Sequence, residues 1–483
     1  MSNKNKEKIK ITKSFQTGIF IFRRDLRIID NICLHLATKM CQNIRTIFIF
    51  TPEQISSKLN AYRSDNAVQF MLESLEQLSS AISAAGGKFE TYYGHNDVVV
   101  EKLILSSKTA KPDAIFFNKD YSPYAIKRDS EITDVCEKHG VSVVTANDYY
   151  LFEPGTILNG TGQSYQKFTP FYDNCLKHKV TGPVYITPKL HDLHSGSGPK
   201  TIANLSISLE SAKKKFLLDK DKNPDILVHG GRINALHQLR VAAKNVKHYD
   251  KVHNDLTFNT SQLSAYIKFG CVSIREVYHI FKTNKDFIRQ LFWRDFYANI
   301  LFAYPHVLGH ALKPQYNKIK WHNNNTWFTA WTTGKTGFPI VDAGMRQLVS
   351  TGYMHNRSRL ITATFLIKTL LINWEKGEQF FAIMLTDYDP ASNNGNWQWC
   401  AGTGADSQPY FRIFNPWLQQ KEHDSNCEYI KKWIPELQDV PVSIIHNWNT
   451  EYANYKDTSY PKPICVYEEQ KEKILKMYKT ALY

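Results

Sequence analysis

The sequence predicts an α/β unit followed by an all-helical one, and three observations carry that prediction. Short apolar segments alternate with helical periodicity up to about Ala146, a stretch rich in glycine, proline and polar residues follows, and the pattern then stays helical with no convincing strand. The expected boundaries are 15–146 for a five-stranded, parallel, Rossmann-like sheet unit, 147–225 for an interdomain connector and 226–483 for the helical unit. A chain of 483 residues exceeds the size at which one core keeps growing, which agrees with two units.

Taken in order, the strands are Gly18–Phe22, Arg45–Phe50, Lys88–Tyr93, Ala114–Phe117 and Val141–Val144. Runs this short and this apolar, separated by helical segments, suit a parallel sheet covered on its faces. Val68, Met71, Leu72, Leu75, Leu78 and Ile82 recur at helical spacing, so one face of that helix packs on the sheet. No G-x-G-x-x-G follows the first strand, and the nucleotide fingerprint usual in this architecture is therefore missing. The connector holds Gly155, Gly160, Gly162, Gly182, Gly196 and Gly198 and reads as loop. Beyond it, Phe287–Phe302 and Ser358–Trp374 read as uninterrupted helical stretches.

A formal charge of +15 and a pI near 9.2 point to an acidic partner, of which a nucleic-acid backbone is the commonest. The eight cysteines show no C-x-x-C spacing and no Cys/His cluster, which argues against zinc and for reduced thiols. The start, Met1–Lys10, is basic but lacks the apolar stretch of a signal peptide, and no run approaches membrane-spanning length. A soluble intracellular protein is expected, cytoplasmic or nuclear. Nothing suggests an obligate interface, so a monomer is expected.

Four segments carry candidate chemistry. Asp387–Trp399 packs two acids, three asparagines and two indoles into thirteen polar residues; it reads as a cofactor wall, with Gly395 bringing backbone close to a ligand, or as a surface turn with stacked aromatics. Thr260–Ser264 places small hydroxyls before the amphipathic run Ala265–Arg275, either as a plain helix cap or as a phosphate cradle. Helical spacing puts Gln290, Trp293, Arg294 and Tyr297 on one polar and aromatic face, unlike a core helix. Tyr353–Arg359 sets an asparagine and two arginines before an apolar helix, a natural place for anion contacts or a solvated helix start. Trp321, Trp374 and Trp397 lie on three separate segments and could pass an electron or simply fill core space.

Together these segments resemble the DNA photolyase and cryptochrome family, in order and at matching separations from about Gly18 to Lys479. Phe22–Asn31 looks like the family's first strand and loop, and Trp331–Pro416, with Gly334–Leu348 inside it, is the most specific block. The resemblance implies an N-terminal antenna domain and a helical domain holding FAD in a bent, U-shaped form. It implies that Tyr249 and the loop Thr260, Ser261, Gln262, Leu263 and Ser264 embrace the FAD phosphates, with Phe287 nearby and Arg294 beside the flavin edge. Asn356, Arg359, Asp387 and Asp389 would contact the isoalloxazine and its surroundings, and Asn393 would face the flavin nitrogen that changes protonation. Trp397, Trp374 and Trp321 align with the family's electron relay, from flavin to solvent.

The same resemblance makes Trp293 and Trp399 the walls of a pocket for a flipped-out pyrimidine dimer, with Tyr297 at its border and Arg357 and Arg412 placed for DNA phosphates. Enzymes acting on (6-4) photoproducts carry two histidines near the lesion; here the matching positions are Asn356 and Leu360, and neither can deliver a proton. Light-driven cyclobutane dimer repair in damaged DNA, single- or double-stranded, is therefore expected. Gln290 departs from that branch, standing where a glutamate is usual and matching the (6-4) branch; Phe287, Gln262 and Tyr353 are smaller departures. The antenna stays open among deazaflavin, folate, another flavin or an empty site, because Asn118–Asp129 holds Ala125 where folate binders keep an acid. The rival reading is a cryptochrome-type blue-light receptor, against which stand Asn393 and a last helix, from Tyr467, that runs almost to Tyr483.

Overall fold

Five strands form one parallel sheet in the order β3-β2-β1-β4-β5: β1 Phe15–Phe22, β2 Cys41–Phe50, β3 Phe89–Tyr93, β4 Ala114–Asn118 and β5 Ser142–Ala146. These come from a computed structural model that describes residues 14–106, 111–190, 202–246, 249–455 and 458–482. The lysine-rich start Met1–Lys10 and the connector glycines Gly196 and Gly198 lie outside the described residues.

Each strand coincides with an expected one because both sheet faces are buried. The Phe20, Phe22, Phe48, Phe50 and Phe116 side chains join one core cluster, while Ile19, Ile21, Ile47, Ile49 and Ile115 join another, as period-two alternation requires. The helix Asp65–Ala84 is capped by Ser64, whose hydroxyl accepts from the Ala67 amide (3.2 Å), and it buries Val68, Leu72, Leu75, Leu78 and Ile82. Strand order reverses between β1 and β4, so the loops after these two strands diverge and leave a crevice at their carboxyl ends.

The connector is more ordered than its glycines suggest. Phe168–Cys175 and Leu209–Phe216 are helices, and residues 205–207 run beside β3, with Tyr93 N donating to Leu205 O (2.8 Å) and Ile207 N to Thr91 O (3.0 Å). Buried Phe168, Phe171, Ala212 and Phe216 tie these pieces to the main core; anchoring spaced this irregularly leaves no periodicity to read.

In the helical part Lys285–Ala303 matches the expected Phe287–Phe302. Ser358–Trp374 is not one helix. Asn356–Thr364 passes into a π-helical turn over Phe365–Thr369, Leu371 takes a left-handed φ of 58°, and the Asn373 carboxamide caps a new helix, Trp374–Met384, by accepting from Glu375 N (3.2 Å). The cap residue Asn373, hidden inside an apolar run, was the sign of that break. Ala265–Arg275 is likewise divided, into the short helix Ser264–Lys268 and, after Gly270, the helix Ile274–Phe281 with a capping box from Ser273 and Glu276.

A buried charge cluster joins the two parts. Arg27, beyond β1, pairs with Asp148, beyond β5 (2.6 Å), and Arg275 of the helical part pairs with both Asp148 (2.7 Å) and Asp30 (3.2 Å), while the Ser273 hydroxyl donates to Asp30. All four charged groups are buried. Among the described residues no helix is long and apolar enough to cross a membrane.

Candidate functional site

The crevice at the switch in strand order opens into a cavity of about 680 Å³. Arg23 and Arg24 follow β1, Thr51 follows β2, Asp120 and Tyr121 follow β4, and Lys268, Glu378, Tyr388 and Asp389 reach it from the helical part. Arg24 bridges the two sides, donating to Asp389 (2.7 Å) and to the Tyr150 hydroxyl (2.7 Å), with Asp120 at 3.1 Å. Arg23 and Arg24 line the cavity, while Nε and Nη2 of Arg23 and Nε of Arg24 are buried without a hydrogen-bond partner.

The segment from Asp387 contains a single turn and then a helix. Asp389 caps Pro390–Ala401, accepting from Ser392 N (3.0 Å). Burial pushes the Asp389 carboxyl up, but Arg24 and then Arg294 outweigh that and hold it at about 2. Arg359 grips Asp387 with both guanidinium arms (3.2 and 2.8 Å), donates to Met354 O (2.9 Å) and lies 5.4 Å over the Tyr353 ring. Asn393 donates to Glu378 O (3.0 Å). A Cβ on Gly395 would sit 2.1 Å from Tyr297 Cδ1, so the glycine lets Pro390–Ala401 press against Lys285–Ala303.

Pro390–Ala401 is the hub of this region, packed against the helices Lys285–Ala303, Asn356–Thr364 and Trp374–Met384. It thereby gathers residues from the singled-out segments other than the hydroxyl loop and Trp321: Trp293, Arg294 and Tyr297, then Asn356 and Arg359, then Trp374, with Asn393, Trp397 and Trp399 of its own. Gln290 is exposed, with its amide donating to Asp286 O (3.3 Å) in its own helix. Arg294 donates to Tyr149 O (2.5 Å) and covers the Tyr150 ring at 4.5 Å. Arg357 donates to Asn254 (2.7 Å), Leu360 is half-buried beside the second core, and Arg412 is exposed in the loop before Pro416–His423.

The hydroxyl loop caps its helix through Leu263 without any side-chain hydrogen bond, so the plain-cap reading fails. Gln262 takes a left-handed φ of 51°, Gln238 donates to Ser261 O (2.8 Å), and the Thr260 and Tyr353 hydroxyls are 3.1 Å apart. Beside the loop lies a cavity of about 240 Å³ reached by Thr260, Gln262, Tyr353 and His355. The buried His355 Nε2 has no partner there. Tyr249 stacks on His253 (5.1 Å) and meets Phe287 edge-on (5.3 Å).

Of the three tryptophans, Trp397 and Trp374 are buried and Trp321 is half-buried. Trp397 meets Phe381 edge-on (4.9 Å) and Trp331 (6.2 Å), and it fills the space above Gly377, where a Cβ would lie 2.2 Å from its Cη2. Trp321 meets Tyr478 edge-on (6.0 Å).

Comparison with known proteins decides the family. Residues 19–189 match the DNA photolyase model and 287–480 the model of the FAD binding domain of DNA photolyase. A deoxyribodipyrimidine photo-lyase of Buchnera aphidicola subsp. Baizongia pistaciae is 37% identical over 95% of this chain and 97% of that protein. The chain belongs to the DNA photolyase family. Its fold agrees with solved members of the family. The archaeal photolyase of Sulfolobus tokodaii, crystallised with two FAD molecules, is 38% identical with a TM-score of 0.84 over 96% of this chain and all of that one. A bacterial class III photolyase from Agrobacterium tumefaciens is 29% identical with a TM-score of 0.88 over 98% of this chain and 99% of that one.

As a photolyase-family protein the chain carries an FAD-binding domain, and the residues fit the coenzyme. Gln262 bends the loop through a left-handed φ, His355 with its buried, unpartnered Nε2 borders the neighbouring cavity, and paired Arg359 and Asp387 give a fixed polar edge. Sequence reading missed Arg24, whose partner Asp389 is 365 positions away, and Glu378, one of two acids in the helix Trp374–Met384. Glu378 is buried, and desolvation, against hydrogen bonds from Tyr62 and Asn393, pushes its carboxyl up to about 7 from an ordinary 4.5. Its stabilising neutral form is fully present below about pH 4.5 in both states and is lost as pH rises through 7. Wild type should therefore lose about 2–3 kcal/mol relative to Glu378→Gln between pH 5 and pH 8, a difference that urea unfolding at the two pH values measures.

Proposed function

We propose that this protein repairs cyclobutane pyrimidine dimers in DNA under light. When bound, FAD supplies the light absorption and the electron for ring splitting. The protein's part is to hold, orient and dry the reactants. Arg359 and Asp387 would hold the polar edge of the isoalloxazine, the Thr260–Ser264 loop and Tyr249 would take the phosphates, and Asn393, steadied by Glu378 O (3.0 Å), would serve the nitrogen whose protonation changes. Trp293 and Trp399, on two helices that pack together, receive the flipped bases, while Arg357, Arg412 and the net charge of +15 hold the backbone. Trp397, Trp374 and Trp321 resupply electrons from the surface. The sheet unit, 15–146, carries the antenna in the crevice beside Arg23 and Arg24; a flavin is the class favoured, since the Sulfolobus tokodaii relative was crystallised with two FAD molecules.

One observation favours dimer repair over the (6-4) reaction: no proton donor stands where the latter needs one. Asn356 is exposed, Leu360 is apolar, and burial, then Arg359, push the adjacent His355 down to about 4, so its ring is neutral at physiological pH. Gln290 can donate to a pyrimidine carbonyl and accept from its ring N–H but supplies no charge. The test is to irradiate the reduced protein with ultraviolet-damaged single- and double-stranded DNA and to count both lesions. Cyclobutane dimers should disappear only in light, with (6-4) products unchanged, and Gln290→Glu should alter the dimer yield by several-fold. Light-independent binding with no loss of either lesion in both proteins would instead support a receptor of the cryptochrome type.

A further inference from the structure

We propose that Phe168 is a positioning residue for lesion recognition: from the connector, it sets the plane of Trp293 and leaves that indole one face to offer a base. The proposal rests on the reading of Trp293 as a wall of the lesion pocket. The Phe168 ring lies parallel to Trp293, with centroids 3.8 Å apart and 4° between planes. Its other neighbours extend the stack. Tyr172, one turn further along Phe168–Cys175, lies nearly parallel to Phe168 (5.7 Å, 13°), and the Arg289 guanidinium sits 5.1 Å from the Phe168 centroid and 5.3 Å from that of Tyr172.

The indole's remaining ring contacts come from its own helix, Phe296 edge-on (5.6 Å, 89°) and Tyr297 tilted (5.6 Å, 33°). Phe168 is the one partner among these that enters from another part of the chain, and it is completely buried while Trp293 keeps partial exposure. The segment that delivers it is tied down around it. Phe152 N donates to Asp295 (3.1 Å), Gly155 N to Asn299 (2.9 Å), Gln166 to the Tyr304 hydroxyl (3.0 Å), and Asp406 N to Gln166 O (2.9 Å). A covered, parallel indole has lost its rotamer freedom before a ligand arrives, so a base stacking on the open face does not have to order it.

A packing role alone would make Phe168 important for folding and indifferent to what DNA is bound. The experiment therefore compares full-length, FAD-loaded Phe168→Leu, Phe168→Tyr and Trp293→Ala for binding to an oligonucleotide carrying one thymine dimer and to the same strand undamaged. Phe168→Leu should weaken dimer binding about tenfold, leave undamaged binding within about twofold, and keep repair per photon at saturating DNA within about twofold. Phe168→Tyr, which keeps the ring, should restore dimer binding. Phe168→Leu combined with Trp293→Ala should be no worse than Trp293→Ala alone, since both changes remove one interaction. If Trp293→Ala loses discrimination and Phe168→Leu keeps it, Phe168 only packs and the proposal is overturned. If Trp293→Ala itself keeps discrimination, the reading of Trp293 as a wall fails instead. Should Phe168→Leu not fold, Phe168→Met takes its place, and failure of both to fold would assign Phe168 to the core and overturn the role.

Discussion

Replacing Arg359 with leucine should give a protein that loses FAD and unfolds about 3–5 kcal/mol more easily. The carboxylate of Asp387 is 5% exposed and held at 2.8 and 3.2 Å by the two arms of Arg359, so removing the arginine strands a charge that water cannot reach. The companion variant, Arg359→Leu with Asp387→Leu, should recover most of the stability, because an apolar pair leaves nothing uncompensated. It should not recover the coenzyme. Urea midpoints and the visible absorption of the purified proteins read the two effects separately. A single variant that keeps its colour would remove Arg359 from the flavin site.

The second large effect concerns electrons. Trp374→Phe should slow photoreduction of the bound coenzyme by about a hundredfold or more while leaving dimer repair by chemically reduced protein unchanged. The indole is buried one turn before Gly377, the residue whose missing side chain makes room for Trp397, so phenylalanine fills most of the space and the cost in stability stays at about 1–3 kcal/mol. Trp331 provides the internal control. It lies 6.2 Å from Trp397 but is fully buried, and Trp331→Phe should leave photoreduction nearly intact. The reverse outcome would move the relay onto Trp331 and demote Trp374 to packing.

The sheet was legible because its strands are uniformly apolar and bounded by turns, so Gly18–Phe22 and Ala114–Phe117 lie wholly inside β1 and β4. The long helix over Phe287–Phe302 was legible from its length. Ser358–Trp374 misled because the break at Leu371 has no glycine or proline to announce it, and the cap is a single asparagine. Within the candidate site, Asp387, Asp389 and Asn393 stood out as a dense polar group, and Arg359 as part of a basic one. Their partners did not. Arg24 sits on the far side of the chain, Glu378 looks like any helical acid, and Phe168 belongs to a stretch whose glycines hide its anchoring. Contacts of this kind are settled by tertiary approach, which leaves no period in a sequence.

The buried knot of Arg27, Asp30, Asp148 and Arg275 bears on how the chain can be altered. Two acids and one base come from one half and the second base from the other, so neither half is electrically complete by itself. A helical half made alone would leave the Arg275 guanidinium, and a sheet half its aspartates, on a face that the other half no longer covers, so both would trade a buried partner for water. Exchange of sheet units between relatives should therefore succeed only when this quartet travels with them, and heat should melt the two halves as one cooperative unit.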